Sequence, residues 1–233
     1  LRAVSQALEL YGVEPAEADA LADALEQLSE VTCRWLSGAG AAEADPELAT
    51  AFFQLCHKGL VFRPAVMNSL STMPAVFEAA IGCICHQEFT HTRAALALLT
   101  LFTSGTDASM QHRDMALHCL QNSGGRLVEQ CICALASVSP DNLLVHVATL
   151  LKCVLKACSG VASTWLVAAL QSPSAKLGPL RADPASSPTP AVAHFAESAV
   201  RPMPDAELHA LLTDFAYCCR GSMPAEALER RYV

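Results

Sequence analysis

Aromatic side chains are scarce: Phe, Trp and Tyr make up only 6% of the 233 residues, although 52% are hydrophobic. Leu, Ala, Val and Cys must therefore fill the core. These small, mostly unbranched side chains suit close helix–helix packing, and Ala and Leu are strong helix formers. Long apolar runs are also missing. Stretches such as Ala94–Leu99 fall far short of the roughly 20 residues that span a bilayer, so no membrane insertion is expected. The first 30 residues carry seven acidic groups and lack a basic-then-apolar pattern, so no secretory route is expected either.

An excess of basic charge is absent. The net charge is −8, and residues 1–50 hold all of it, with ten acidic groups against Arg2 and Arg34. The remaining 13 acidic and 13 basic groups balance. A phosphate backbone requires a basic surface, so nucleic acid is not an expected partner. A basic protein segment is the electrostatic complement of the acidic region. Evenly paired cysteines are absent as well: eleven is an odd count, in a chain larger than the usual disulfide framework. Most of them fall inside helical stripes, where a free Cys acts as a small hydrophobe in a reducing cytosol or nucleus.

What the chain does contain is helices in pairs. Breaks at Asp45-Pro46, Thr90, Pro140-Asp141 and Pro190 each precede an amphipathic segment, and they lie 45, 50 or 51 residues apart. Each interval holds two apolar stretches of helix length and no convincing strand. That period predicts an all-α, HEAT-type solenoid, a right-handed superhelix of about five antiparallel pairs. Residues 1–171 form the main array, 172–190 a flexible loop with five Pro and four Ser, and 191–233 a last pair and tail. Leu1–Tyr11 already carries an apolar period at Val4, Leu8 and Tyr11, which reads as the tail of a helix in a longer protein.

Within the array, a helix from Pro15 to about Leu36 carries Leu21, Leu25, Leu28, Thr32 and Trp35 on one stripe. Asp19, Asp23, Glu26 and Glu30 form a second stripe, about 170° away at 100° per residue. A solvated face is the ordinary meaning of such a pattern. Its functional meaning is a partner-binding face, since second helices line the concave surface of HEAT superhelices. Pro74 should kink or break the segment opened by Pro64. A bend or a short interruption is expected at Ser123-Gly124-Gly125, and Asp141 is expected to cap the following helix.

Two Cys-x-Cys pairs, Cys83/Cys85 beside His86 and Cys131/Cys133, invite a metal reading. On a helix, positions i and i+2 point about 200° apart, so one ion could not take both sulfurs; no metal site and no cofactor are expected. Cys56 and Cys119 have neighbouring His57 and His118, which a helix turns away by about 100°. With no strand there is no Gly-rich phosphate loop after one. No catalytic residue is assigned, and the chain is not expected to be an enzyme.

Three segments carry a resemblance: Pro46–Ala65 (PELATAFFQLCHKGLVFRPA), Ser163–Leu170 (STWLVAAL) and Ala193–Gly221, ending LLTDFAYCCRG. They resemble the C-terminal end of karyopherin-beta nuclear transport receptors, most closely the transportin-SR-like branch. Leu48, Phe52, Leu55, Arg63, Pro64, Leu211, Asp214 and Phe215 occupy matching positions. The resemblance spans nearly the whole chain except the Pro/Ser stretch. It implies a receptor shuttling between nucleus and cytoplasm with Arg/Ser-rich or otherwise basic protein cargo, acting by binding alone. Ran GTPase and nucleoporins would be engaged through repeats preceding Leu1, so no Ran-binding residue is assigned. The alternative is a generic HEAT scaffold or adaptor with the same fold and no transport role.

Overall fold

Proline and the short polar residues set the boundaries of the helices. In the computed structural model, which describes residues 1, 4, 6, 15–38, 40–104, 113–138, 140–180 and 189–231, the regular elements are all helical, with no strand among the described residues. Along the chain these are α1 (Pro15–Leu36), α2 (Ala41–Ala44), α3 (Pro46–Phe62), α4 (Pro64–Ser69), α5 (Met73–Gly82), α6 (Phe89–Ser104) and α7 (Arg113–Cys133). After α7 come a π-helical turn (Ala134–Val138), α8 (Asp141–Ala157), α9 (Ser159–Gln171), a 3-10 turn (Gly178–Leu180), α10 (Pro190–Ala199), α11 (Asp205–Cys219) and α12 (Glu226–Arg231). No helix among the described residues is long and apolar enough to cross a membrane.

The chain divides into two compact units, Leu1–Gln121 and Asn122–Val233. In the first, Asp45 caps α3: its carboxylate accepts from Leu48 N at 3.0 Å, with Pro46 in the first turn. Pro64 opens α4, and the chain breaks at Leu70–Thr72 so that Pro74 sits in the first turn of α5, where it has no hydrogen bond to lose. Helix α3 packs along α6, and α1 packs against α4 and α5. Phe52, Phe53, Leu55, Phe77, Leu96 and Phe102 are fully buried between them, and the Phe77 and Phe102 rings meet edge-on at 5.5 Å. Each such side chain contributes about 1.5–3 kcal/mol relative to exposure.

In the second unit the neighbours follow a different order: α8 packs against both α9 and α11, while α10 packs against α9. Phe195 of α10 and Phe215 of α11 stack at 3.9 Å with both rings fully buried. The buried face of α8 is Leu144, Val147, Leu151, Val154 and Leu155, with Leu143, Ala148 and Leu150 widening it.

Three sequence expectations change here. Helix α7 runs without interruption through Ser123-Gly124-Gly125. Those glycines instead make room for the Trp165 indole, which a Cβ on Gly124 would overlap. Asp141 does not cap α8; Pro140 holds the N-cap position, and the Asp141 carboxylate accepts from Arg220 Nη1 at 2.8 Å. Arg220 also donates to the carbonyls of Leu135 (3.2 Å) and Ala134 (3.4 Å), satisfying oxygens on the π-helical turn. Finally, residues 172–180 are packed rather than loose: Ala175, Leu177 and Leu180 are buried, and Gly178 (φ 52°) lies against the backbone of Cys219 where no side chain fits. Residues 181–188 of the expected loop lie outside the described residues, as does most of Leu1–Tyr11.

Candidate functional sites

The acidic helix α1 buries Leu25, Ser29, Thr32 and Cys33, with Leu21, Leu28 and Trp35 half-buried at the edges of that face. The opposite side presents Asp23, Gln27, Glu30, Val31 and Arg34 to solvent. The four carboxylates of the predicted stripe are not equivalent. The side chain of Asp19 lies outside the described residues. Asp23 is exposed, and Glu30 is exposed but paired with Arg34 at 2.6 Å, an i,i+4 contact worth little in water.

Glu26 has a structural task. Its carboxylate accepts from the Ser71 hydroxyl, from Thr72 Oγ1 at 3.0 Å and from Thr72 N at 3.4 Å. Thr72 is the N-cap residue of α5, and its own side chain makes no cap bond within that helix; its N–H and hydroxyl both donate to Glu26 of α1 instead. Burial pushes the Glu26 carboxyl up, but the bonds from Ser71 and Thr72 together outweigh it and leave the pKa below the usual value. The net result is an α1–α5 clamp, not a free surface charge.

A second constellation lies where α5 turns into α6. The Cys83/Cys85 pair is not helical: α5 ends at Gly82, and residues 83–85 form a turn. The relevant spacing is Cys83-x2-His86 in that turn, followed by His91 in the first turns of α6. One donor atom from each of Cys83, His86 and His91 lies within 4.8 Å of the others. His86 Nδ1 and His91 Nε2 are 3.0 Å apart with their rings edge-on. The Thr92 hydroxyl donates to the carbonyls of Cys83 (3.2 Å) and His86 (3.3 Å), tying α6 to the turn.

His91 is completely buried, and its Nδ1 has no hydrogen-bond partner. An unsatisfied buried group of this kind costs about 1–3 kcal/mol, so His91 is not an ordinary paired core histidine. Burial, then the neighbouring His86, lowers its pKa against the opposing pull of Glu88 and Glu43. Burial, with a smaller contribution from Glu43, pushes the Cys83 thiol up to about 12. Because residues 83–85 form a turn and not a helix, the spacing that brings donor atoms together is Cys83-x2-His86 with His91, not the Cys83/Cys85 pair. For Cys131 and Cys133 the helical reading holds, and both are buried in α7.

A third feature is an open hollow of about 540 Å³ between α3 and α6, lined by His57, Lys58, Phe89 and Arg93 among others. The Arg93 guanidinium sits 5.7 Å from the Phe89 ring centre. Cys56 points away from this hollow into the core, where burial pushes its thiol well up, so it makes no nucleophile with His57. No protein-family model matches the chain, and no curated protein matches it.

Proposed function

We propose that the chain is the C-terminal part of a karyopherin-beta nuclear import receptor, built as a HEAT-type array that holds basic or Arg/Ser-rich protein cargo by surface contacts alone. The observation that carries the repeat reading is the like-on-like packing of the first unit: α3, the first helix of its pair, lies on α6, the first of the next, while α1 lies on α4 and α5, both second helices. In a helical solenoid each pair buries its apolar face against its neighbours in this way. The resemblance to the receptors supports the transport role. Its residues occupy framework positions here: Phe52, Leu55, Leu211, Asp214 and Phe215 are buried, and Arg63 and Pro64 form the α3–α4 junction.

The partner surface in this reading is the outer side of α1. Asp23 and Glu30 supply negative charge beside Val31, which is 63% exposed. Exposed carboxylates with an apolar neighbour suit an arginine-rich segment, whose guanidinium heads pair while their stems cover apolar surface. Glu26 is engaged by Ser71 and Thr72 and stands outside this surface.

A generic scaffold with the same fold is the second reading; the α8–α11 and α9–α10 packing of the second unit departs from like-on-like order, so the repeat reading rests on the first unit. The coding sequence upstream of Leu1 separates the two. The receptor reading expects a long run of further helix pairs there, and a start codon immediately upstream would contradict it.

A further inference from the structure

We propose that Cys83, His86 and His91 bind one divalent transition-metal ion of the zinc class, as a structural clasp that fixes the turn between α5 and α6. The inference is independent of the transport reading. Zinc bound by Cys and His has bonds of about 2.0–2.3 Å and tetrahedral angles, which sets donor atoms roughly 3.3–3.7 Å apart. The three donors here, all within 4.8 Å with the two imidazole nitrogens at 3.0 Å, already bracket that separation. Small rotations of the two rings suffice to open the 3.0 Å contact around an ion.

The surroundings fit the same assignment. The ligand-bearing segment is a turn followed by a helix, the setting in which closely spaced zinc ligands occur, and the Thr92 hydroxyl bonds hold that turn in place. A thiolate from Cys83 offsets one of the two positive charges of the ion. The fourth tetrahedral position is left to water at the half-buried His86 side. Thiol and imidazole together select zinc, or cobalt as its spectroscopic substitute, over magnesium and calcium. On binding, the Cys83 S–H bond breaks, the sulfur pair forms the bond to the ion, and the proton leaves to solvent. One proton is released per ion bound.

The test is a titration of the chelator-stripped, reduced protein with cobalt(II), followed in the near-ultraviolet and visible. One ion per chain with a thiolate-to-cobalt charge-transfer band and tetrahedral visible bands, both bleached by added zinc, is the expected result. Cys83→Ser should abolish the charge-transfer band, and His91→Gln should weaken binding at least tenfold. Cys133→Ser, which removes a thiol elsewhere in the same unfragmented chain, should leave the titration unchanged. Zinc should raise the Tm of the wild type and of Cys133→Ser but not of Cys83→Ser, which keeps the readout meaningful if a variant folds less well. Absence of the band in the wild type, or a band that survives Cys83→Ser, would overturn the assignment, the latter by placing the ion on other cysteines.

Discussion

Trp165 of α9 lies so close over Gly124 of α7 that a single added methyl group on the glycine would overlap its six-membered ring. At Gly125 the same addition would meet Trp165 Cδ1 at 3.3 Å, a tight contact that a small shift relieves. A sequence feature that looked like a helix breaker is therefore a notch.

Gly124→Ala and Gly125→Ala should consequently differ in sign. An alanine in a helix interior gains about 1 kcal/mol over glycine, whereas forcing atoms into a filled space costs about 1–3 kcal/mol. Urea unfolding should show Gly124→Ala destabilised by about 1 kcal/mol and Gly125→Ala near neutral or stabilised. In a Trp165→Ala background the Gly124→Ala change should become stabilising. Equal effects of the two alanines in the wild type would refute the notch.

The Glu26 clamp makes a pH prediction. Its carboxyl is held below the usual value by Ser71 and Thr72, so its contribution to stability is fully present above the unfolded glutamate value of about 4.3 and disappears as pH falls through the lower folded value. Glu26→Gln should cost about 1 kcal/mol at pH 7, and the difference from wild type should shrink in acid. A pH-independent difference would mean that charge plays no part in the clamp.

Arg220 should matter more than its ionic partner. Its side chain is 18% exposed and serves two backbone carbonyls, whereas Asp141 is 85% exposed. Arg220→Ala leaves the Leu135 and Ala134 oxygens without their donor and should cost about 1–3 kcal/mol. Asp141→Asn should cost well under 1 kcal/mol, as surface ion pairs do. Thermal unfolding of the two variants decides the order.

Local signals carried most of the helix boundaries. Pro15, Pro46 and Pro64 mark the starts of α1, α3 and α4 as read from the sequence, because proline at the first turn acts on neighbouring backbone only. The misreadings arose where a long-range partner decides. Gly124 is explained by Trp165, 41 positions away, and Asp141 by Arg220, 79 positions away. The bonds of Glu26 to Ser71 and Thr72, 45 and 46 positions away, are likewise invisible in the local sequence. The Cys83–His86–His91 cluster was hidden differently: α5 stops at Gly82 with no proline or asparagine to announce it, so a helical phase was carried too far.

Capture of basic protein segments by the exposed side of α1, as proposed, is measured by an equilibrium titration with an arginine/serine-repeat peptide. Wild-type protein should bind at low salt and weaken toward physiological salt, where the screening length is about 8 Å and each exposed pair contributes at most about 1 kcal/mol. Asp23→Asn with Glu30→Gln should weaken low-salt binding several-fold, while Glu26→Gln should change stability and leave binding alone. Identical affinity of the double variant and the wild type at low salt would contradict the account and leave α1 as an ordinary solvated helix face.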